Sequence, residues 1–235
     1  MFAIYKRELR SYFTTAVGYV FLAIIVALSA VAFSLTTILQ ASNDVTTYFT
    51  VLLFILMVAL PVLTMKLFSE ERKMRTEQLL LTAPVSIAKI VTAKFFAAFT
   101  VFFGANLLCS LAYITLFIYS EPEGGIILGN IIAITLVGAS FIAVGIFVSS
   151  LTENQLAAAI GTFGILLAML GVGIISSVIP WYPVRYVLGW FSILTRYSNF
   201  TNGFFDFAAL FYYASVCFIF LFLTCRVLER RRYSA

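Results

Sequence analysis

Residues 127–150 read ILGNIIAITLVGASFIAVGIFVSS, and this stretch decides the fold class. It lies within 29 consecutive uncharged residues, bounded by Glu123 and Glu153. Roughly 20 apolar residues in a helix are enough to cross the ~30 Å hydrocarbon layer of a bilayer. A run of this length therefore predicts a membrane-spanning helix rather than a helix of a soluble core.

The rest of the chain repeats this pattern. Apolar residues make up 63% of the 235, and charged residues only 11%, against about 25% in soluble domains. Strands of a membrane barrel would alternate polar and apolar residues, and these runs do not, which leaves helices as the way to satisfy the backbone in lipid. The sequence predicts an all-α integral membrane protein with one transmembrane domain over residues 1–235 and six spans, at about 16–38, 46–66, 90–118, 127–150, 155–179 and 207–226.

The basic residues predict the orientation of these spans. Lys and Arg collect in the segments that face the cytoplasm, the positive-inside pattern, when both termini are placed on that side. Thirteen basic residues then lie inside and only Arg185 and Arg196 outside. The formal net charge of +5 is therefore interpreted as a feature of topology and of the lipid surface, and no nucleic-acid partner is expected.

Two segments are too short or too interrupted to span. In residues 1–15, apolar and aromatic side chains recur at helical spacing among basic ones, which predicts a helix lying in the headgroup region; a plain basic flank is the alternative. Residues 180–206 are rich in Trp, Tyr and Phe but include three charges. They predict interfacial or re-entrant helices before the sixth span rather than a seventh span.

The sequence also lacks whole classes of chemistry. It contains no histidine and no Gly-Lys pair, so it has no P-loop, and no charged residue lies in the middle of a predicted span. Ion-coupled carriers usually need intramembrane carboxylates or their partners. Any uphill transport would therefore draw its energy from another subunit, and the chain is not expected to be an enzyme by itself.

Residues 67–89, LFSEERKMRTEQLLLTAPVSIAK, form the longest segment on the predicted cytoplasmic side. Ser69 is predicted to cap a helix with Glu70 and Glu71 in its first turn, where acidic residues complement the helix dipole. Pro84 would end the following helical stretch, and Ser86 is predicted to cap the helix that becomes the third span.

This loop resembles the permease subunits of type-2 ABC exporters. The likeness rests on EERK at residues 70–73, TEQLLLTAPV at 76–85 and Lys94-Phe95 at the opening of the third span. It extends over essentially the whole chain through four further segments, ELRSYF at 8–13, SSLTENQ at 149–155, GFFD at 203–206 and RVLERRR at 226–232. The branch that contains the gliding-motility permease and the permease for nitrous-oxide-reductase maturation looks most similar.

The sequence departs from the family pattern at three places. Arg75 stands where the family usually has glycine, so the turn before the coupling segment is expected to differ. Thr15-Ala16 replaces a common Ser-Pro before the first span, and Tyr197–Phe200 lacks the histidine often found in that region. The last difference leaves the transported substrate unassigned.

The resemblance implies a function and a set of partners. Such a permease forms the translocation pathway in a bacterial inner membrane, pairs with a second copy or a close homologue, and is driven by two cytoplasmic P-loop ATPase subunits. ATP and Mg²⁺ are bound by those subunits and no cofactor by this chain. An extracytoplasmic accessory subunit is a further possible partner. The alternative is a membrane anchor or assembly subunit of a motility or respiratory complex, without transport of its own.

By position, the ATPase-coupling element corresponds to residues 70–82. Charged side chains would pair with the ATPase at a polar rim, and a run of leucines would enter an apolar groove on it. The predicted coupling residues are Glu70, Glu71, Arg72, Lys73, Thr76, Glu77, Leu79, Leu80 and Leu81.

Overall fold

The structure is a computed structural model that describes residues 1–39, 46–76, 85–114, 124–178, 185, 189, 192–201 and 206–234. Within these ranges the chain forms nine α-helices and no strand. They are α1 (Phe2–Thr14), α2 (Ala16–Phe33), α3 (Thr46–Thr64), α4 (Lys66–Lys73), α5 (Ile87–Ser110), α6 (Gly124–Leu151), α7 (Gln155–Val178), α8 (Ile193–Thr201) and α9 (Phe207–Ser234); a π-helical turn, Ser34–Ile38, extends α2.

Six helical segments are long and apolar enough to cross a membrane, which confirms the prediction of an all-helical protein with six spans. They are Ala16–Ile38, Thr46–Lys73, Ile87–Ser110, Gly124–Leu151, Gln155–Ser176 and Phe207–Arg232. The largest difference in bounds is at the third, where α5 ends at Ser110 instead of continuing to 118; residues 115–118 lie outside the described part of the chain.

Helix α6 is the centre of the structure and packs against α3, α5, α7 and α9. In its most apolar window 67% of the residues are buried, against 22% in α9. Two glycines let its neighbours come close: a Cβ at Gly138 would collide with the Phe102 ring, and one at Gly145 with the Thr64 side chain. Small residues at helix crossings are how membrane helices gain packing contacts, because lipid supplies no hydrophobic drive for association.

The outer helices α2, α7 and α9 leave large apolar side chains exposed, among them Tyr19, Leu156, Ile160 and Phe211. A soluble protein would not expose so much apolar surface to water. A membrane-spanning helix can expose it at no cost, because acyl chains surround it. The exposed faces therefore agree with the fold class.

The first helix forms as predicted, but α4 does not begin where the sequence suggested. It starts at Lys66, one residue after α3 ends, so Ser69 lies inside the helix, and its hydroxyl donates to the Met65 carbonyl instead of capping. The prediction of a cap at Ser69 was wrong because α3 continues through a single turn residue. Ser86 does occupy the N-cap position of α5, although its side chain makes no capping hydrogen bond.

Helix α8, before the last span, contains nine residues. At 1.5 Å per residue it is about 14 Å long, too short to span a bilayer. Its placement at the interface or as a re-entrant element stays a prediction.

Candidate functional site

Lys94 lies in the third turn of α5, and only 1% of its side chain is exposed. Its ammonium group donates to the Leu67 carbonyl at 2.7 Å and forms ion pairs with Glu71 Oε1 at 2.9 Å and Glu8 Oε1 at 3.3 Å. The Phe68 ring centre is 5.0 Å from Nζ. A lysine has three N–H donors, and these three oxygens match them, which is the condition for burying a cation without a large desolvation penalty.

Arg7 completes a four-residue ion network with Glu8, Glu71 and Lys94. Its Nη2 lies 2.7 Å from Glu8 Oε1 and 3.1 Å from Glu71 Oε1. The hydrogen bond that Arg7 donates to Glu8 raises the pKa of the Arg7 guanidinium, against the opposite effect of partial burial. Two positive and two negative charges balance, so the ion network joins α1, α4 and α5 without net charge.

Ser149, near the end of α6, holds the junction between α3 and α4. The backbone N–H groups of Phe68 and Ser69 both donate to its hydroxyl oxygen, at 3.1 and 3.2 Å, and that hydroxyl donates to the Met65 carbonyl at 3.0 Å. The amides of the first turn of α4 therefore have an acceptor where the helix is interrupted. One side chain of α6 thus fixes the point at which a predicted span becomes α4.

Two arginines from different elements bind the C-terminal end of α6. Arg72 of α4 donates to the Leu151 carbonyl at 2.8 Å and forms an ion pair with Glu153 at 2.9 Å. Arg231 of α9 donates to the Ser150 carbonyl at 2.6 Å. The last carbonyls of a helix have no partner in the helix and carry partial negative charge, so cations are favourable there.

Helix α4 ends in a Schellman motif built around a non-glycine residue. Thr76 N–H donates to the Glu71 carbonyl at 2.9 Å, Arg75 N–H to the Arg72 carbonyl at 3.1 Å, and Arg75 has φ 56°. This left-handed conformation is the one that glycine adopts at low cost. Arg75 thus adopts a backbone conformation that favours glycine. The expectation that this turn differs from the usual one of the family stays a prediction.

Replacing Arg75 by glycine is therefore expected to stabilise the protein by about 0.5–1 kcal/mol. A residue with a Cβ pays about 1–2 kcal/mol to adopt the left-handed conformation, and glycine avoids this cost. Part of the benefit is lost because the unfolded chain is more flexible at glycine and loses more entropy on folding. Thermal unfolding in detergent, followed by helical circular dichroism, measures the change. Arg75→Ala is the matched control, since it removes the same charge but keeps the Cβ. Equal stabilisation by alanine would contradict the explanation.

A cleft of about 490 Å³ opens between α1, α4 and the start of α5, beside the ion network. Burial raises the pKa of Tyr12, whose hydroxyl donates to the Leu63 carbonyl at 3.2 Å in its wall. The cleft is lined by Arg7, Glu8, Ser11, Tyr12, Thr15, Lys66, Leu67, Glu70, Glu71, Met74, Thr76 and Lys94.

The structure brings part of the predicted coupling set together here. Glu70, Glu71 and Thr76 line the cleft, whereas Arg72 turns towards α6 and Lys73 is exposed. Four of the predicted coupling residues lie outside the described residues, namely Glu77, Leu79, Leu80 and Leu81.

Sequence reasoning missed the ion network and Ser149. Arg7 and Glu71 are 64 positions apart, and Phe68 and Ser149 are 81 apart, so no local pattern relates them. One signal was available: Lys94 is the single charged residue inside the predicted third span, 90–118, and such a charge needs a partner of opposite sign.

Six spans, with the helix α4 continuing one of them into a charged cleft, define a polytopic membrane protein. The family of ABC-2 family transporter proteins matches the chain over residues 45–229, and the chain belongs to that family. It is therefore the transmembrane component of an ABC transporter, a subunit normally without catalytic activity that works with an ATPase partner. A search of curated proteins finds no match.

Proposed function

We propose that this chain forms the translocation pathway of an ABC exporter and is driven through residues 70–82, a segment that begins within α4 and continues beyond its end. The observation that carries the proposal is the set of bonds on α4. The helix continues α3 and is tied to α1 and α5 through the ion network and to α6 through Ser149 and Arg72. A partner that displaced α4 would therefore move four helices together.

The proposal includes the arrangement in the membrane. Both termini, α1 and the cleft lie on the cytoplasmic side of a bacterial inner membrane, with α1 at the headgroups. Two ATPase subunits bind ATP and Mg²⁺ below a pair of permease chains, the second being a copy or a close homologue. The thirteen basic residues assigned to this side support the orientation. An ATP-driven change between two states of the pair would make transport directional.

Purification from the native membrane in mild detergent, followed by quantitative mass spectrometry, tests the proposal. We expect a P-loop ATPase in stoichiometric amount with this chain. Recovery without any ATPase, under conditions that preserve other ABC complexes, would favour a membrane anchor or assembly subunit instead. Accessory subunits in the same preparation would test the proposed likeness to the gliding-motility and nitrous-oxide-reductase-maturation branch.

Leu80→Asp is expected to lower the amount of ATPase recovered per permease by about tenfold, because a charge would replace an apolar anchor that enters a groove of the partner. The same mass-spectrometric ratio measures the loss. Leu39→Asp is the matched control, since Leu39 is exposed and lies at the end of the α2 extension, away from α1. If Leu80→Asp inserts normally and retains the wild-type ratio, the leucine run is not the anchor.

A further inference from the structure

Among the described residues, one side-chain oxygen in the cleft between α1, α4 and α5 accepts no hydrogen bond. Glu71 Oε1 accepts from both Lys94 and Arg7, but Glu71 Oε2 is buried and has no hydrogen-bond partner among the described residues. Leaving a buried carboxylate oxygen without a donor costs more free energy than the average hydrogen bond contributes. Such atoms are rare in folded proteins, and each requires a physical explanation.

The two cations of the ion network do not supply the missing bond. Lys94 directs its donors to Leu67 O, Glu8 Oε1 and Glu71 Oε1. The contacts of Arg7 with the two carboxylates also end on their Oε1 atoms. All three N–H donors of the buried Lys94 are therefore already bonded, and none is left for Glu71 Oε2. The cleft beside this atom is large enough to admit another side chain.

The chemistry of the cleft selects the kind of ligand. Three cationic side chains, Arg7, Lys66 and Lys94, and three anionic ones, Glu8, Glu70 and Glu71, line it. An ionised phosphate group brings only acceptors and cannot satisfy a carboxylate oxygen. A guanidinium group brings five donors in a planar fork that matches a carboxylate, and it is more weakly hydrated than an ammonium group.

We propose that the cleft is a docking site for an arginine side chain of the ATPase subunit, which donates to Glu71 Oε2. This inference rests on the proposed function, because the ATPase is the partner expected on this side of α4. Beyond the proposed function, it specifies that Glu71 Oε2 is the atom recognised and that a guanidinium group recognises it. The arginine would enter beside Glu70 and Met74, which line the same cleft.

Glu71→Gln tests the proposal with little change of shape. Its amide keeps one oxygen for Lys94 and Arg7 but places N–H donors where Oε2 was, facing the donors of the incoming guanidinium. We expect about a tenfold lower ratio of ATPase to permease in purified complexes, and a matching loss of Mg-ATP hydrolysis per permease. The control is Glu229→Gln, which removes a charge from a glutamate of α9 whose side chain is 43% exposed and lies outside the cleft, and it is expected to keep the ratio within about twofold.

A photo-crosslink identifies the occupant directly and does not depend on how Glu71→Gln folds. Met74 is 67% exposed and lines the cleft, so benzoylphenylalanine at this position would label whatever lies there. The expected product joins the benzoylphenylalanine at position 74 to an ATPase peptide that contains an arginine. A lipid adduct, a crosslink to a second copy of this chain, or an unchanged ratio in a folded Glu71→Gln variant would overturn the proposal.

The failures of the two proposals are distinguishable. If wild-type protein carries no ATPase at all, the proposed function and this inference both fail. If wild-type protein carries the ATPase and Glu71→Gln carries as much, only the docking of an arginine at Glu71 is wrong.

Discussion

Replacing Lys94 by methionine is expected to lower the free energy of unfolding by about 3–5 kcal/mol, the usual cost of removing one partner from a buried ion pair. Methionine has a similar length and fills the same space, so little of the loss would come from a cavity. What remains is two carboxylates, Glu8 and Glu71, that are only 12% and 16% exposed and have lost their buried cation. Unfolding in mixed detergent micelles, followed by circular dichroism, measures the change.

Lys89→Met is the control for Lys94→Met. Lys89 lies five residues earlier on the same helix and is exposed, so its loss is expected to change stability by less than about 0.5 kcal/mol. The double variant Lys94→Met with Glu71→Gln should recover part of the loss, because it removes one of the uncompensated charges. Equal effects of the two lysine variants would show that the buried ion network does not stabilise the fold.

Ser149→Ala is expected to have the second large effect, a loss of about 2–4 kcal/mol. The hydroxyl accepts from two buried backbone amides, those of Phe68 and Ser69, and each amide left without an acceptor costs about 1–3 kcal/mol. The loss falls at the junction of α3 with α4, so α4 should separate from α6 before the rest of the protein unfolds. Hydrogen exchange of residues 66–73, followed by mass spectrometry, should show faster exchange in the variant.

The neighbouring serine supplies a matched control for Ser149→Ala. Ser150 is as fully buried as Ser149, but its hydroxyl donates to the Phe147 carbonyl within α6. Ser150→Ala therefore leaves no amide of α4 without an acceptor, and we expect a loss below about 1 kcal/mol. If the two variants exchange alike at residues 66–73, Ser149 does not hold the junction.

The sequence by itself determined the fold class, because the bilayer imposes it through composition and length. Each of the six uncharged runs, near 20 residues or longer, can cross a bilayer as one helix. The bounds of α1, α6 and α7 were predicted to within a few residues. The lack of a P-loop likewise followed from the sequence. These properties depend on residues that are close together in the sequence, so they can be predicted without the tertiary structure.

Only the tertiary structure decided where the polar groups of α4 go. Ser69 looked like a cap, and Glu71 and Arg72 looked free to meet a partner, since a local pattern says nothing of Lys94, Arg7 or Ser149. The structure bonds all three inside the molecule and leaves only Oε2 of Glu71 without a hydrogen bond among the described residues, because a charge or amide buried by helix packing is stabilised only where the packing brings a partner to it. That partner is set by which helices cross at Gly145 and at the end of α6, and a crossing is a property of the folded chain alone.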